Sequence, residues 1–150
     1  MVGDDKTWQE FVSTVLTRRL DRMFSLRAEV TASSAIEPVH QMRVWSRRAR
    51  SAFELLRSCE GSKESRKLEA ELKRIGATLS RARDLDVMIE NLDMRAAKLP
   101  EEQRSGLHAF IGRLSAQRLE TQSEVEQAML RIESKHLPER FHTLLSRWSK

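Results

Sequence analysis

The sequence predicts an all-α protein: an antiparallel (up-and-down) four-helix bundle of long helices with a short C-terminal helical extension. Three observations lead to this fold class. Apolar residues recur at helical spacing over long segments, and turn-forming residues are scarce, with five Gly and three Pro in 150 residues. No segment alternates with the two-residue period of a β-strand over a useful length. The length suits a single domain over residues 1–150.

The first two predicted helices are separated by a small polar stretch. The first runs from Thr7 to Val30, and Thr7 and Glu10 have the spacing of a capping box. The stretch Thr31–Ala35 is expected to end it, because serine and threonine compete with the helix backbone for hydrogen bonds. The second helix covers Glu37–Arg57, and a glycine-containing linker should follow it.

Two further helices are predicted from the middle of the chain. The third covers Lys63–Leu79, and the fourth covers Arg81–Lys98. Gly76 and Ser80 mark the expected boundary between them, since glycine and serine are weak helix formers.

The last long helix follows Pro100. Leu107, Leu114 and Val125 lie along its apolar side. Pro138 should break it, which leaves a short amphipathic tail, FHTLLSRW.

The composition indicates the cellular location of the protein and the charge of its binding partners. The net charge is +5 and the pI about 9.9, which favours anionic partners in general. No apolar run approaches the length that spans a bilayer, and the N-terminus MVGDDKTWQE lacks a signal-peptide core. A cytoplasmic protein without a membrane partner is therefore expected. The single cysteine, Cys59, excludes an intramolecular disulfide and is expected to be a small buried residue.

The second helix carries an unusual stripe of basic residues. His40, Arg43, Arg47 and Arg50 are spaced i, i+3, i+7 and i+10, which places them within an arc of about 80° beside the apolar face. Like charges at these spacings repel one another, so the stripe lowers the stability of the helix. Two interpretations remain open: a solvated or internally paired basic face, and a site for an anion.

Basic residues also interrupt the apolar faces of other helices. Arg19 lies within the apolar arc of the first helix and Arg22 at its edge; Arg81 and Arg118 lie at core-like positions farther along. Snorkelling or buried ion pairs could explain each one singly. Together they suggest a groove with apolar walls and a guanidinium lining, for which phosphate is the best-matched anion.

Two segments resemble a known family. HQMRVWSRRARSAFELL (residues 40–56) resembles the H-x-M-R-V-x-x-R-R-x-R signature of the CHAD domain, the conserved histidine α-helical domain. RARDLDVMIENL (residues 81–92) resembles that family's second signature, an R-D-x-D-V segment. The resemblance covers the chain from about Trp8 onward. It implies an all-helical fold and binding of inorganic polyphosphate through a basic surface.

The resemblance also implies which residues contact the ligand. The first motif carries this role to five residues and the second to one: His40, Arg43, Arg47, Arg48, Arg50 and Arg83. Asp84 and Asp86 would orient arginines or the helix start. Family members usually contain two such bundles, whereas only one histidine motif occurs in this sequence. Either a single bundle suffices, or two chains pair to replace the missing half. We expect a homodimer in which the basic grooves of the two chains are joined.

The predicted function is non-catalytic binding of inorganic polyphosphate, with other polyanions as further ligands and polyphosphate granules as a place of action. No nucleophile–base set, glycine-rich phosphate loop or metal-ligand spacing is evident, so neither an enzyme nor a cofactor or metal is expected. Two alternatives remain, a nucleic-acid-binding protein and a helical adaptor for an acidic protein. Aromatic residues make up 5% of the chain, which offers few stacking platforms for bases.

Overall fold

The structure, a computed structural model, describes residues 2–32 and 35–150, with side chains from residue 6 onward. This part of the chain forms six helices and no strand, which confirms the all-α fold class. The helices are α1 (Val2–Ser25), α2 (Arg27–Ala32), α3 (Ile36–Arg57), α4 (Lys63–Ala96), α5 (Glu101–Ser134) and α6 (Leu137–Trp148). None of the helices described here combines the length and the apolar character that a bilayer crossing requires.

The long helices pack as sequential neighbours. α1 packs against α3, α3 against α4, and α4 against α5, while α6 packs against α1, α4 and α5. The predicted C-terminal extension is thus an integral part of the core: Phe141 of α6 lies between Phe24 and Phe53, with ring centroids 6.0 and 5.8 Å away. The up-and-down four-helix arrangement itself stays a prediction.

The predicted boundary between a third and a fourth helix is wrong, because α4 is continuous from Lys63 to Ala96. Leu72 and Ile75 on one side of Gly76, and Leu79 and Ala82 on the other, are all buried. An unbroken helix keeps these side chains on one face. Burying that face outweighs the roughly 1 kcal/mol that a glycine costs in a helix interior.

The first predicted helix is longer at its start and interrupted near its end. α1 begins at Val2, so Thr7 lies inside the helix and is not its N-cap. The chain tightens at Leu26, whose amide bonds to the Met23 carbonyl three residues back, and α2 continues to Ala32. The end predicted at residues 31–35 agrees with this, although Ser33 and Ser34 lie outside the described residues.

Two smaller expectations are also corrected. Cys59 is exposed rather than buried, because it lies in the linker that follows α3. The break expected at Pro138 occurs earlier, at His136, whose backbone adopts a left-handed conformation with φ 51°. Pro138 lies in the first turn of α6, where a missing N–H leaves no helical hydrogen bond unmade.

Ion pairs connect α4 to the end of α5. The Glu71 carboxylate, on a residue 7% exposed, accepts hydrogen bonds of 2.8 Å from Arg131 and from Lys135. The hydrogen bond from Arg131 foremost, with that from Lys135, lowers the pKa of Glu71 from 4.5 to about 2, against the opposing effect of burial. A carboxyl group with a lowered folded-state pKa stabilises the fold only while it is ionised.

We therefore expect Glu71→Gln to lower the free energy of unfolding by about 2 kcal/mol near neutral pH, a value reduced for the partial exposure of its partners. The stabilisation is present in full above pH 4.5 and is lost as the pH falls toward about 2. Urea denaturation at neutral and acidic pH measures this difference between wild type and variant.

A matched control is Glu133→Gln, which removes the exposed pair with Arg27 and should change the free energy of unfolding by less than about 1 kcal/mol. A Glu71→Gln effect of the same size at neutral and at acidic pH would contradict the assignment.

Candidate anion-binding site

The packing of the apolar face of helix α3 determines where its arginines lie. The helix runs from Ile36 to Arg57, within one residue of the predicted start. Its buried residues are Val39, Met42, Ser46, Ala49, Ala52, Phe53 and Leu56. Because this face fixes the rotation of α3 about its axis, the neighbouring arginines are held at the margin of the core. We call Arg43, Arg47, Arg48 and Arg50, together with Arg19 of α1, the arginine cluster.

A pocket lies on each side of α3, and the arginine cluster lines both. The α3–α4 pocket, about 280 Å³, is lined by Arg43, Ser46, Arg47, Arg50, Ser51, Glu54, Gly76 and Ser80. The α1–α3 pocket, about 320 Å³, is lined by Arg19, Arg43, Val44, Arg47, Arg48 and Ser51. Arg43 and Arg47 belong to both linings, so they form a basic ridge between two adjoining depressions.

Hydrogen bonds and an aromatic contact orient individual members of the cluster. The Arg43 Nε donates to the Ser80 hydroxyl oxygen at 3.3 Å. The Arg19 Nη1 donates to the backbone carbonyl of Arg48 at 2.7 Å, and the Arg48 guanidinium lies 4.6 Å from the centre of the Trp45 ring. These contacts restrict the side chains while leaving their positive charge unneutralised, which pre-organises them for an anion.

Within the described residues, no member of the arginine cluster forms an ion pair with a carboxylate. Elsewhere in the molecule arginines do so repeatedly, with Glu133, Glu69, Glu124, Asp86, Glu71 and Glu64 as the acidic partners. The internally paired interpretation of the basic stripe therefore does not hold for this cluster. Its guanidinium groups remain available to an external anion.

Burial leaves only some of the nitrogen atoms of His40 and Arg50 accessible to a ligand. His40 precedes Arg43 by one helical turn, and its Nδ1 is buried without a hydrogen-bond partner among the described residues. A ligand contact by His40 must therefore use Nε2. The Arg50 Nε is likewise buried without a partner in this part of the chain, so Arg50 has only its two terminal nitrogens for a ligand.

Of the other predicted site residues, the structure brings only Arg19 to the cluster. Arg22 is exposed in the last turn of α1, and Arg83 is half-buried on α4. Neither one belongs to the lining of the two pockets beside α3.

Arg81 and Arg118 connect α4 to α5 and are not part of the cluster. The Arg81 Nη2 bonds to Glu124 at 2.6 Å, and the Arg118 Nε bonds to Asp86 Oδ1 at 2.7 Å. The sequence placed both in the groove because a carboxylate partner on another helix cannot be identified from spacing alone. Asp86 does orient an arginine, as the second motif implied. It does not mark a helix start, because α4 is continuous there.

Sequence reasoning missed the α4 side of the α3–α4 pocket. A Cβ added at Gly76 would lie 3.7 Å from Ser46 Oγ and 3.8 Å from both Cδ and Nη1 of Arg50. The Arg50 side chain therefore lies against α4 at Gly76, with space for a methyl group but not for a large side chain. The available signal was a glycine inside a strongly periodic apolar segment, where an isolated glycine is tolerated without ending the helix.

Comparison with known proteins identifies the family. The CHAD domain family model matches residues 14–150, nearly the whole chain. The chain belongs to the CHAD domain family. No characterised protein and no solved structure is similar enough to count as a match. The matched range of this CHAD domain includes α3, which carries Arg43, Arg47, Arg48 and Arg50, and also Arg19 of α1.

Two substitutions at Gly76 should separate helix stability from the placement of Arg50. Gly76→Ala adds a methyl group at ordinary contact distance and should stabilise the protein by about 0.5–1 kcal/mol, with no loss of anion binding. Gly76→Leu requires space that Arg50 occupies, so it should displace that side chain and weaken anion binding. Thermal unfolding and titration with polyphosphate measure the two effects. Equal binding by both variants would show that the position of Arg50 does not matter.

Proposed function

We propose that this CHAD domain binds inorganic polyphosphate through the arginine cluster, without catalysing its hydrolysis. The observation that carries the proposal is the gathering of five guanidinium groups, none ion-paired among the described residues, around two adjoining pockets. The CHAD domain family is associated with polyphosphate binding in general, and the cluster supplies a physical reason why this chain would share that property.

A chain of phosphates fits this site better than a single anion. The Cα atoms of Arg43 and Arg50 are about 10 Å apart along the helix axis, so the arginines form a row along which successive phosphates of a chain can bind. Guanidinium forks pair with phosphate oxygens through two hydrogen bonds each. The Ser80 hydroxyl accepts from Arg43 and so keeps its own proton for a ligand oxygen. His40 would extend the same row toward the start of α3.

The proposal also states that the protein binds polyphosphate without hydrolysing it. The lining of the α3–α4 pocket combines guanidinium and hydroxyl groups with one carboxylate, Glu54. Metal-assisted phosphoryl transfer relies on several carboxylates that hold and position the metal ions. We also propose that the protein acts in the cytoplasm, on or near polyphosphate granules. The proposal further includes an up-and-down bundle of the long helices as the scaffold of the site.

Single substitutions in the cluster should weaken polyphosphate binding without unfolding the protein. We expect Arg47→Ala and Arg50→Ala each to reduce affinity at least about tenfold, because a hydrogen bond between charged groups contributes about 1.5–3 kcal/mol. Isothermal titration with long-chain polyphosphate measures the loss, and circular dichroism checks the fold.

The control is Arg57→Ala, on the same helix but outside the cluster. Arg57 pairs with Glu69, which keeps Lys73 as a second partner, so this change should reduce affinity by no more than about threefold. Equal losses for all three variants would mean that overall charge attracts the polymer and that the cluster is not its site. Displacement of polyphosphate by single-stranded DNA at equal phosphate concentration would favour the nucleic-acid alternative.

A further inference from the structure

Helix α3 carries a carboxylate on the same side as its row of cationic side chains. Glu54 follows Arg50 by four residues and Arg47 by seven, and both spacings place side chains on one face of a helix. Glu54 is exposed, and it lines the α3–α4 pocket together with both arginines. The row that begins at His40 therefore ends, one turn beyond Arg50, in a group of opposite charge.

This carboxylate distinguishes the two pockets beside α3. Among the described residues, the lining of the α1–α3 pocket contains four arginines and no carboxylate, whereas the lining of the α3–α4 pocket contains three arginines and Glu54. Glu54 has no ion-pair partner in this part of the chain, and the charged residues Glu69 and Lys73 of α4 pair with each other and with Arg57. Glu54 therefore offers free carboxylate oxygens to a ligand in the pocket.

The interior phosphates of a polyphosphate chain and the phosphates at its ends respond differently to a carboxylate. An interior phosphate at neutral pH is fully ionised and only accepts hydrogen bonds, so a carboxylate repels it. A terminal phosphate has one more oxygen, and the second proton of a phosphate monoester has a pKa of about 6. Its P–OH group can donate a hydrogen bond to a carboxylate, and such a charge-assisted bond is stronger than a bond between neutral groups.

We propose that the α3–α4 pocket binds the terminal phosphate of a polyphosphate chain, whose P–OH group donates a hydrogen bond to Glu54. Arg47 and Arg50 bind the other oxygens of the same phosphate. These arginines alone would favour a fully ionised phosphate, so Glu54 is the residue that makes the pocket selective for a protonated chain end. The rest of the chain runs along α3 toward His40, because the carboxylate repels interior phosphates in the other direction.

This assignment rests on the proposed function and deepens it, since it states which part of the polymer the pocket recognises and in which direction the chain lies. It also explains why one carboxylate occurs in a lining of guanidinium and hydroxyl groups. A repulsive group that only the correct ligand can turn into a partner is a common source of specificity.

The test compares linear tripolyphosphate with cyclic trimetaphosphate, which both contain three phosphates although only the linear compound has terminal groups. We expect wild type to prefer the linear compound, and Glu54→Gln to lower the ratio of the two affinities at least about threefold, because an amide oxygen accepts a weaker hydrogen bond. If Glu54 only repelled anions, neutralising it would favour the more highly charged linear compound and raise the ratio. A raised or unchanged ratio would therefore overturn the assignment.

The matched control is Glu37→Gln, the same change of charge on the same helix but outside both pockets. Glu37 accepts a hydrogen bond from Gln41, and its substitution should leave the ratio of affinities unchanged. An equal fall in both variants would show that net charge sets the preference, against the proposal.

Inorganic phosphate separates a chain end from a free anion. It should bind much more weakly than tripolyphosphate, because it cannot reach several arginines at once. Equal affinity for the two would overturn the assignment of a chain end.

Proton uptake gives a second measurement, obtained by calorimetry in two buffers with different heats of ionisation. Above about pH 6, where a free terminal phosphate is mostly ionised, wild type should take up more protons on binding tripolyphosphate than Glu54→Gln does. The other charged groups in the lining are three arginines of α3, and α4 contributes only Gly76 and Ser80. His40 lies about 21 Å from Glu54 along the helix axis and is retained in both proteins. Equal proton uptake would contradict the proposal.

The assignment and the proposed function can fail separately. If long-chain polyphosphate binds neither wild type nor Glu54→Gln, the proposed function is wrong and the assignment falls with it. If both proteins bind long-chain polyphosphate and show the same ratio for the linear and cyclic compounds, only the assignment of the chain end is wrong.

Discussion

The burial of one face of α3 is the constraint on which the rest of this structure depends. Like-charged arginines at helical spacing repel one another and weaken an isolated helix. Phe53, Met42 and Leu56 are almost completely buried, and each contributes about 1.5–3 kcal/mol when removed from water. This apolar packing exceeds the repulsion by a wide margin. It therefore holds Arg43, Arg47 and Arg50 side by side at the edge of the core.

Carboxylates pair with arginines mainly on the helices other than α3. Glu71, Asp86, Glu124 and Glu64 are engaged with arginines that join α4 to α5 and to α6. Their charges are thereby used in holding helices together. The positive excess is concentrated on α3, which carries five arginines against Glu37 and Glu54, and a local excess of this kind attracts anions. Arginines thus contribute to stability in one electrostatic setting and, in the proposed function, to anion binding in another.

The parts of the structure set by local pattern could be predicted from the sequence, and the parts set by distant partners could not. The bounds of α3 followed from its apolar period, and the cluster on it followed from the arginine spacing. Gly76 was misread as a boundary because its environment, the Ser46 and Arg50 side chains of another helix, cannot be identified from the local sequence. Arg118 was placed at a core position correctly, but its partner Asp86 is 32 residues away. Nothing in the local sequence indicates that pairing.

The measurement that tests the account most directly is the dependence of wild-type polyphosphate affinity on salt concentration. Five guanidinium groups that neutralise phosphates should release bound counterions, giving a slope of about −3.5 for log affinity against log salt concentration. Long chains should also bind more tightly than pyrophosphate, because they reach several arginines at once. A slope near zero, or equal affinity for pyrophosphate and long chains, would contradict a cluster that binds successive phosphates.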